Sequence, residues 1–579
     1  MGDTSVSEIL QSFRGNREQV QDSRFKVRFL YKSYTSHMTY TLIPHQPLTL
    51  NVEPGTTFYT FPSSKIHTLP DRLCSSCAVQ KKINAQQNEP LRLPRLMRMS
   101  MVSTEHIVQY YNTPGVRSCM ASFLGGSSLE EATCFYVSCC DSHPYYPLRK
   151  LPNQLAYYLD HGLDVGRSLW DRRFLPVHLD IEYVNFDFPA EPYLDMERMF
   201  EVQNPVVLAV REALYRFGIF PFHLLTGRGH HFVWMVRADS RTYRSLIRLG
   251  HIPAHLKDRY LDPHPPSNEP VSPDLGTAFS GLAMVMEYLA FCIQDTARCS
   301  IPVEITEVIV GPVERGREIV SIDISEYGDP LDTRMIRIPF SIYRKSCKAE
   351  LAGSIDIAER IPLLVAVPAG NDGFRGIIPV MQNLDEAACL ATRTSTEIPD
   401  RTAATMNLVD EYMGSELKCF HDWFYSEEQN KPEEWTTTYD RTPLDILPPC
   451  SRRILEQPND ILLKPAALQL LVRTMLSLGW HPRHIAGLIR SKYERDFGWG
   501  FMWYTYDAAT RADFYTRIFS GPVVTERDSL IDFNCCSTRE KGLCFHHESC
   551  QDLRVYRDAL VRRRTYGRLG RGPFNRLLL

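Results

Sequence analysis

Val177-His178-Leu179-Asp180-Ile181-Glu182-Tyr183 is the stretch on which the reading of this chain turns. The run Phe174–Tyr183 reads as a β-strand by its apolar pattern and its abrupt polar end. On a strand, residues two apart share a face, so Asp180 and Glu182 stand side by side. Two adjacent carboxylates repel each other unless a cation sits between them, and oxygen ligands of this kind suit Mg²⁺ or Mn²⁺.

Three further pieces follow in the chain. Leu225-Thr226-Gly227-Arg228-Gly229-His230-His231-Phe232 is a Gly-rich turn between two short strands, Leu224–Thr226 and Phe232–Val236. Its glycines let backbone N–H groups approach a phosphate, with Arg228 and His231 as added donors. Ile319-Val320-Ser321-Ile322-Asp323 is an apolar run ending in a carboxylate, as a third metal ligand would. Arg334 to Lys345 then supplies Arg337, a planar fork, and Lys345, a point charge, for a triphosphate. Ile319–Ile324 and Met335–Pro339 read as a strand pair joined by Tyr327-Gly328-Asp329-Pro330. A helix is expected over Pro205–Phe217, capped by Gly218.

This set resembles the catalytic core of the archaeo-eukaryotic primase superfamily. That family has a strand ending in Asp-x-Asp or Asp-x-Glu, a Ser-Gly-x-Gly-x-His-like segment, a strand ending in Asp, and then Arg and Lys. Here the order is Asp180/Glu182, Thr226 to His231, Asp323, and Arg337 with Lys345. Thr226 stands where the family often has Ser, and Tyr343 where some members place His. The resemblance covers roughly residues 155 to 347. It implies an RRM-like catalytic core and two-metal nucleotidyl transfer, with Mg²⁺ or Mn²⁺ on Asp180, Glu182 and Asp323 about 3.5–4 Å apart. Thr226, Gly227, Arg228, Gly229, His231, Arg337, Ser341 and Lys345 are then the nucleotide-binding positions.

A second resemblance lies toward the C-terminus. Leu447-Pro448-Pro449-Cys450 opens a helical region that ends in Cys535-Cys536, Leu543-Cys544 and Cys550. This is similar to the C-terminal domain of the primase large subunit, which ties a cysteine after Pro-Pro to three distant ones around a [4Fe–4S] cluster. Four such thiolates also suit Zn²⁺, and His546 or His547 could replace one sulfur. Cys450, Cys544, Cys550 and one of Cys535 or Cys536 are the expected ligands.

Taken together, an α+β chain is expected: a β-rich domain over residues 1–150, the catalytic core over 151–347, a connector with some helix over 348–444, a helical cysteine domain over 445–555, and a basic tail over 556–579. The 579 residues exceed one hydrophobic core, and 44% apolar with 23% charged residues read as globular. The apolar stretch Gly281–Ile293 is short, carries Glu287 and reads as a buried helix, so no membrane partner and no secretory signal are expected. A net charge of −3 leaves nucleic-acid binding to local patches. One such patch is the Arg-rich tail from Arg554 to Arg571, which suits a phosphate backbone or a solvated terminus. Phe497, Trp499, Phe501, Trp503, Tyr504 and Tyr506 suit core packing more than base stacking. Cys74 and Cys77, with Cys134, Cys139 and Cys140, have the loose spacing of a zinc site.

The function expected is a primase–polymerase of a mobile element. Its partners would be a single-stranded DNA template and NTP or dNTP, and its place the cytoplasm or nucleoid. No Walker A pattern occurs, so a separate helicase is expected. A gap-filling or lesion-bypass polymerase, or an inactive replication factor that binds nucleic acid, are the alternatives.

Overall fold

The computed structural model describes residues 28–34, 37–43, 103–139, 148–263, 267–344, 360–370, 373–500, 506–544 and 553–565, with single positions 357 and 503. Two compact units are present, one formed by residues 1–31 and 40–90, the other by 32–39 and 91–579. Strands Arg28–Tyr34 (β1) and His37–Ile43 (β2) pair with each other. Everything below belongs to the second unit, which is mixed α+β.

Its main sheet is built on Phe174–Asn185 (β6), twelve residues long. Leu175, Val177, Leu179, Ile181 and Tyr183 are buried on one face of this strand, while His178, Asp180 and Glu182 occupy the other. Around it lie Phe222–Leu225 (β7), Gly229–Arg237 (β8), Val303–Ile305 (β9), Glu318–Asp323 (β10) and Val367–Pro368 (β14), in the order β14-β7-β8-β6-β10-β9. All neighbours are antiparallel except β9 and β10. Along the chain, β6 leads through helix Met196–Arg216 to β7 and β8, and β8 through helix Pro273–Thr296 to β9 and β10.

Helix Met196–Arg216 starts nine residues before the expected Pro205, which lies inside it. The Asp195 side chain caps the Arg198 amide, and Met199 and Phe200 bury against the core. A cap and an extra apolar turn outweigh the backbone bond that Pro205 forfeits. Arg198 fixes the helix to the sheet: it donates to the Tyr183 hydroxyl at 2.8 Å and to Glu318 at 2.7 Å. Gly218 follows the helix with φ of 78°.

Helix Pro273–Thr296 is apolar enough to cross a bilayer by length and hydropathy, but 83% of its apolar window is buried inside the protein. Glu287 at its centre is fully buried, 2.6 Å from the Arg517 guanidinium and 2.9 Å from His421. An ion pair of this kind holds the helix against the C-terminal region.

Three expectations change. The strands around Asp323 and Arg337 do not pair. Met335–Arg337 (β11) instead joins Val165–Ser168 (β5) in a second sheet, completed by Val137–Cys139 (β3) and Leu148–Lys150 (β4). Two 3₁₀ turns, Ser325–Gly328 and Leu331–Thr333, separate β10 from β11. Asp329 anchors that crossing through Arg334 and Arg511, so the Gly-Asp-Pro signal marks a crossing rather than a hairpin. The stretch 348–444 is more than a connector. Leu364–Val365 (β13) pairs with Ile342–Tyr343 (β12), β14 extends the main sheet, and Thr405 on helix Thr402–Met413 accepts from the Trp234 indole at 3.0 Å. Finally, the region expected to be β-rich contains helices Thr104–Tyr111 and Pro114–Phe123, started by a Ser103 cap and by Pro114.

The helical reading of the C-terminal region is matched by Pro449–Glu456, Pro465–Ser477, Pro482–Tyr493, Ala508–Val524 and Cys535–Glu540. Trp499 and Trp503 are buried against Tyr493, so these two aromatics serve packing; Phe501 and Tyr504 lie outside the described residues. The first part of the basic tail is a helix, Leu553–Thr565, docked by Arg563 on the Ser477 carbonyl and Arg564 on the Asp528 carbonyl. Arg568 and Arg571 lie outside the described residues.

Candidate metal and nucleotide site

Register alone assembles the acidic centre. Asp180 on β6 sits across from Asp323 on β10 and from His231 on β8. One step along, Glu182 sits across from Ser321 and Gly229. Cross-strand partners share a face. Asp180, Glu182 and Asp323 therefore converge, each with a carboxylate oxygen within 4.8 Å of the others, and all three are buried.

Several polar atoms on this face have no hydrogen-bond partner among the described residues: Asp180 Oδ1, His231 Nδ1, His178 Nε2 and Ser321 Oγ. Buried polar groups are nearly always partnered, so a cluster of orphans marks a place that a ligand completes. The donor set is all oxygen at its centre, which fits Mg²⁺ or Mn²⁺.

The electrostatics suit a face that binds a cation. Burial, then Glu182 and Asp323, push the Asp180 carboxyl well above the usual carboxylate range. Burial pushes Glu182 up to about 8 against the opposing pull of Arg228. His231 is held well below its ordinary value by burial, then by His178 and Arg337, so its ring is neutral. Its Nε2 lies 3.5 Å from Asp180 Oδ2.

Arg228 is placed differently from a free phosphate ligand. Its guanidinium pairs with Glu182 and, at 2.9 Å, with Glu307. Glu307 is a fourth buried carboxylate that the sequence pattern did not single out. It follows β9, after Thr306 at φ of 64°, and belongs to no motif spacing. The only sequence signal is an acidic residue closing the short run Val303-Glu304-Ile305 upstream of β10.

The Gly-rich turn is tight for identifiable reasons. A Cβ on Gly229 would lie 1.8 Å from the Ile181 carbonyl oxygen, and one on Gly227 would lie 2.7 Å from the Tyr343 ring. Thr226 closes the turn, its hydroxyl and its amide both donating to the Gly229 carbonyl, so this hydroxyl is engaged internally. Arg337 pairs with Asp164 and lies over the Tyr343 ring at 4.8 Å. The Ser341 hydroxyl donates to the Ile338 carbonyl at 2.6 Å within a turn where Phe340 has φ of 63°, which gives it a structural use. Lys345 lies outside the described residues.

At the second cysteine set, burial, then Cys544 and Cys535, push the Cys450 thiol up to about 12. Among the described residues, the set of metal-ligating side chains whose ligand atoms lie within 4.8 Å of one another is Asp180, Glu182 and Asp323, and these three thiols do not form such a set. Cys535 is half-buried, whereas Cys536 is exposed with its Sγ 3.7 Å from Glu540 Oε1. Cys550, His546 and His547 lie outside the described residues. So do Cys74, Cys77 and Cys140, and of Cys139 only the backbone is described. Cys134 is a core thiol that contacts the Tyr136 carbonyl at 2.9 Å, with its pKa raised to about 11 by burial.

Comparison of the chain with protein-family models, with curated proteins and with solved structures finds no match in any of the three.

Proposed function

We propose that this chain is a primase–polymerase of the archaeo-eukaryotic type, building DNA or primers on a single-stranded template by two-metal nucleotidyl transfer. The convergence of Asp180, Glu182 and Asp323 on one face of adjacent strands carries the reading. The connectivity supports it. Taken over β6, helix Met196–Arg216, β7, β8, helix Pro273–Thr296 and β10, with further helices and β9 inserted, the connectivity and the spatial order β7-β8-β6-β10 are what an RRM-like reading expects. His231 in the same row as the two aspartates supports it as well.

Asp180, Glu182 and Asp323 would hold the divalent cations. Once bound, those cations supply activation of the attacking hydroxyl and neutralisation of the leaving pyrophosphate. The chain's own residues contribute position and charge. The Gly227–Gly229 turn offers backbone amides to the phosphates. Arg228, held by Glu182 and Glu307 beside the turn, would supply positive charge to the triphosphate. Arg337, steered by Asp164, grips the same phosphates in the fork geometry suited to them. Burial of the whole face keeps bulk water from competing with the sugar hydroxyl.

In this reading Cys450, Cys535, Cys544 and Cys550 hold a [4Fe–4S] cluster, or Zn²⁺, in an accessory region that helps bind template and initiating nucleotide. A separate helicase supplies unwinding, and the work is done in the cytoplasm or at the nucleoid.

The test is synthesis on single-stranded DNA with labelled nucleotides and Mg²⁺ or Mn²⁺, with and without primer, beside the Asp180→Ala, Glu182→Ala double variant. Primer-independent product that the variant lacks is the expected result. Extension only from a primer favours a gap-filling or bypass polymerase. No synthesis under any condition sinks the enzymatic reading and leaves a nucleic-acid-binding factor.

A further inference from the structure

The turn that follows Asp323 is shared between the acidic centre and the C-terminal helical region. The Ser325 amide donates to Asp323 Oδ1 at 2.9 Å, so this turn sets the rotation of the third carboxylate. Glu326 lies 2.7 Å from His178 Nδ1, and the Tyr327 hydroxyl accepts from the His178 amide at 3.2 Å and donates to its carbonyl at 2.8 Å. His178 precedes Asp180 by two residues on β6. One turn, Ser325–Gly328, therefore ties the strand of Asp180 to the carboxylate of Asp323.

The groups that hold this turn from outside come from far along the chain. Asp329 follows it directly and is buried. A buried carboxylate needs a cation and hydrogen bonds. Arg334 supplies its Nε at 2.8 Å from the side of β11, and Arg511 its Nη1 at 2.9 Å from helix Ala508–Val524. Arg511 is itself buried, its guanidinium 4.3 Å from the centre of the Tyr506 ring and 5.2 Å from that of Tyr515. A planar cation boxed by aromatic rings has little freedom. Phe514 of the same helix seats the end of the turn, since a Cβ on Gly328 would lie 2.7 Å from its ring. Arg517 then fixes the helix to Glu287 at 2.6 Å. Arg511, Phe514 and Arg517 recur at intervals of three, a stripe along the helix that grips the turn and the core helix beside it.

We infer that Arg511 is a positioning residue for the acidic centre: through Asp329 it holds the Ser325–Gly328 turn, and through the turn the Asp323 carboxylate, in the arrangement that takes a divalent cation. The inference rests on the cation-binding reading of Asp180, Glu182 and Asp323 given above. A group that orients a metal ligand without touching the metal sets affinity, because a ligand left free to rotate must be ordered on binding. The helical region is then part of the cation site rather than an appended module.

The experiment is a Mn²⁺ titration of the full chain, followed by calorimetry and by electron paramagnetic resonance, with melting temperatures measured beside it. Arg511→Met leaves Asp329 paired with Arg334 and is expected to weaken Mn²⁺ binding about ten-fold, the lower end of what loss of an orienting group costs. Arg511→Lys, which returns the charge without the fork, is expected to recover part of that affinity. Gly328→Ala presses the turn away from Phe514 with the residues of both Asp329 pairs unchanged, and is expected to weaken Mn²⁺ binding as well. Arg483→Met breaks a different ion pair of the same helix, with Asp513, and is expected to lower the melting temperature with Mn²⁺ affinity unchanged. A folded Arg511→Met protein with wild-type Mn²⁺ affinity overturns the inference, as does a Gly328→Ala protein with wild-type affinity should Arg511→Met not fold. Equal weakening in Arg483→Met also overturns it, since general loosening of the helical region would then suffice. Wild type that binds no Mn²⁺, or binds it no better than the Asp180→Ala, Glu182→Ala protein, overturns the cation reading and this inference together.

Discussion

Asp323 lies directly across from Asp180 in the antiparallel register of β10 and β6, and both carboxylates are buried. Like charges in one row of a sheet, with Glu182 on the next row, cost the metal-free protein stability. Burial removes the solvation that would screen them.

Asp180→Asn therefore separates stability from activity. In chelator, the variant is expected to melt above wild type by an amount worth about 1–3 kcal/mol, because a neutral amide replaces a raised carboxyl. In Mn²⁺ the order reverses, since wild type gains from cation binding and the variant does not. Nucleotidyl transfer falls on the order of 10³-fold. Calorimetry in chelator and in Mn²⁺, with extension assays beside it, checks all three. An unchanged melting temperature in chelator would contradict the electrostatic account.

Arg228 makes the opposite case. It is a buried cation between Glu182 and Glu307, and burial works against its charge while both carboxylates hold it well above its ordinary value. Arg228→Met strands two buried carboxylates. A loss of about 3–5 kcal/mol is expected, the size typical of breaking a buried pair from one side. The Arg228→Met, Glu307→Gln double variant should recover part of that loss. Urea melts of the two single variants and the double variant measure the coupling, and strict additivity would show that Glu307 is not the partner that matters.

The contrast between these residues explains how far the sequence could be read. Asp180, Glu182 and Asp323 were legible because each ends or punctuates an apolar strand, and a period of two fixes the face without any tertiary information. The Gly-rich turn was legible because close approach to Ile181 and Tyr343 admits only glycine. Glu307 and Glu326 were not: one follows a three-residue edge strand, the other sits in a 3₁₀ turn, and each matters only through a partner far away in the chain. The pairing of β11 with β5 was hidden for the same reason, since residues 166 and 337 meet only after the crossing anchored by Asp329. The Met196–Arg216 helix begins nine residues before Pro205 because the Asp195 side chain caps it, and a proline inside a helix conceals that start from the periodicity.

Glu304 on edge strand β9 gives a pH prediction. Burial pushes its carboxyl up to about 7; Asp532 and Asp528 add to this, and Lys541 and Arg473 oppose it. Relative to the ordinary value of 4.5, the folded protein holds this proton more tightly than the unfolded chain does. Stability from this group therefore falls as pH rises from about 4.5 to about 7 and is level above that. Glu304→Gln should stabilise by about 1–2 kcal/mol at pH 8, less than the full shift implies because the position is partly exposed and the pull of Lys541 is lost. The gain should vanish near pH 4.5. Melting temperatures of wild type and variant across that range test the sign: a gain that grows toward acid would refute it.

The adjacent cysteines 535 and 536 are the case where one residue of helical rotation decides the chemistry. Helix Cys535–Glu540 starts at an Asn534 cap, and successive side chains on it point about 100° apart. Cys535 is half-buried, and Cys450 is a buried thiol that burial pushes up to about 12. Cys536 turns outward to Glu540. A buried thiol of that kind stays protonated and inert unless a metal replaces the proton. If the proposed cysteine site holds iron or zinc, Cys535→Ser and Cys450→Ser are expected to lower metal content and melting temperature, while Cys536→Ser leaves both unchanged. Metal content per chain, measured on protein purified without oxygen, checks this. Equal metal in the Cys535→Ser protein, or loss from Cys536→Ser alone, would reverse the assignment. Visible absorbance of the wild type distinguishes an iron–sulfur cluster, which is coloured, from zinc, which is not.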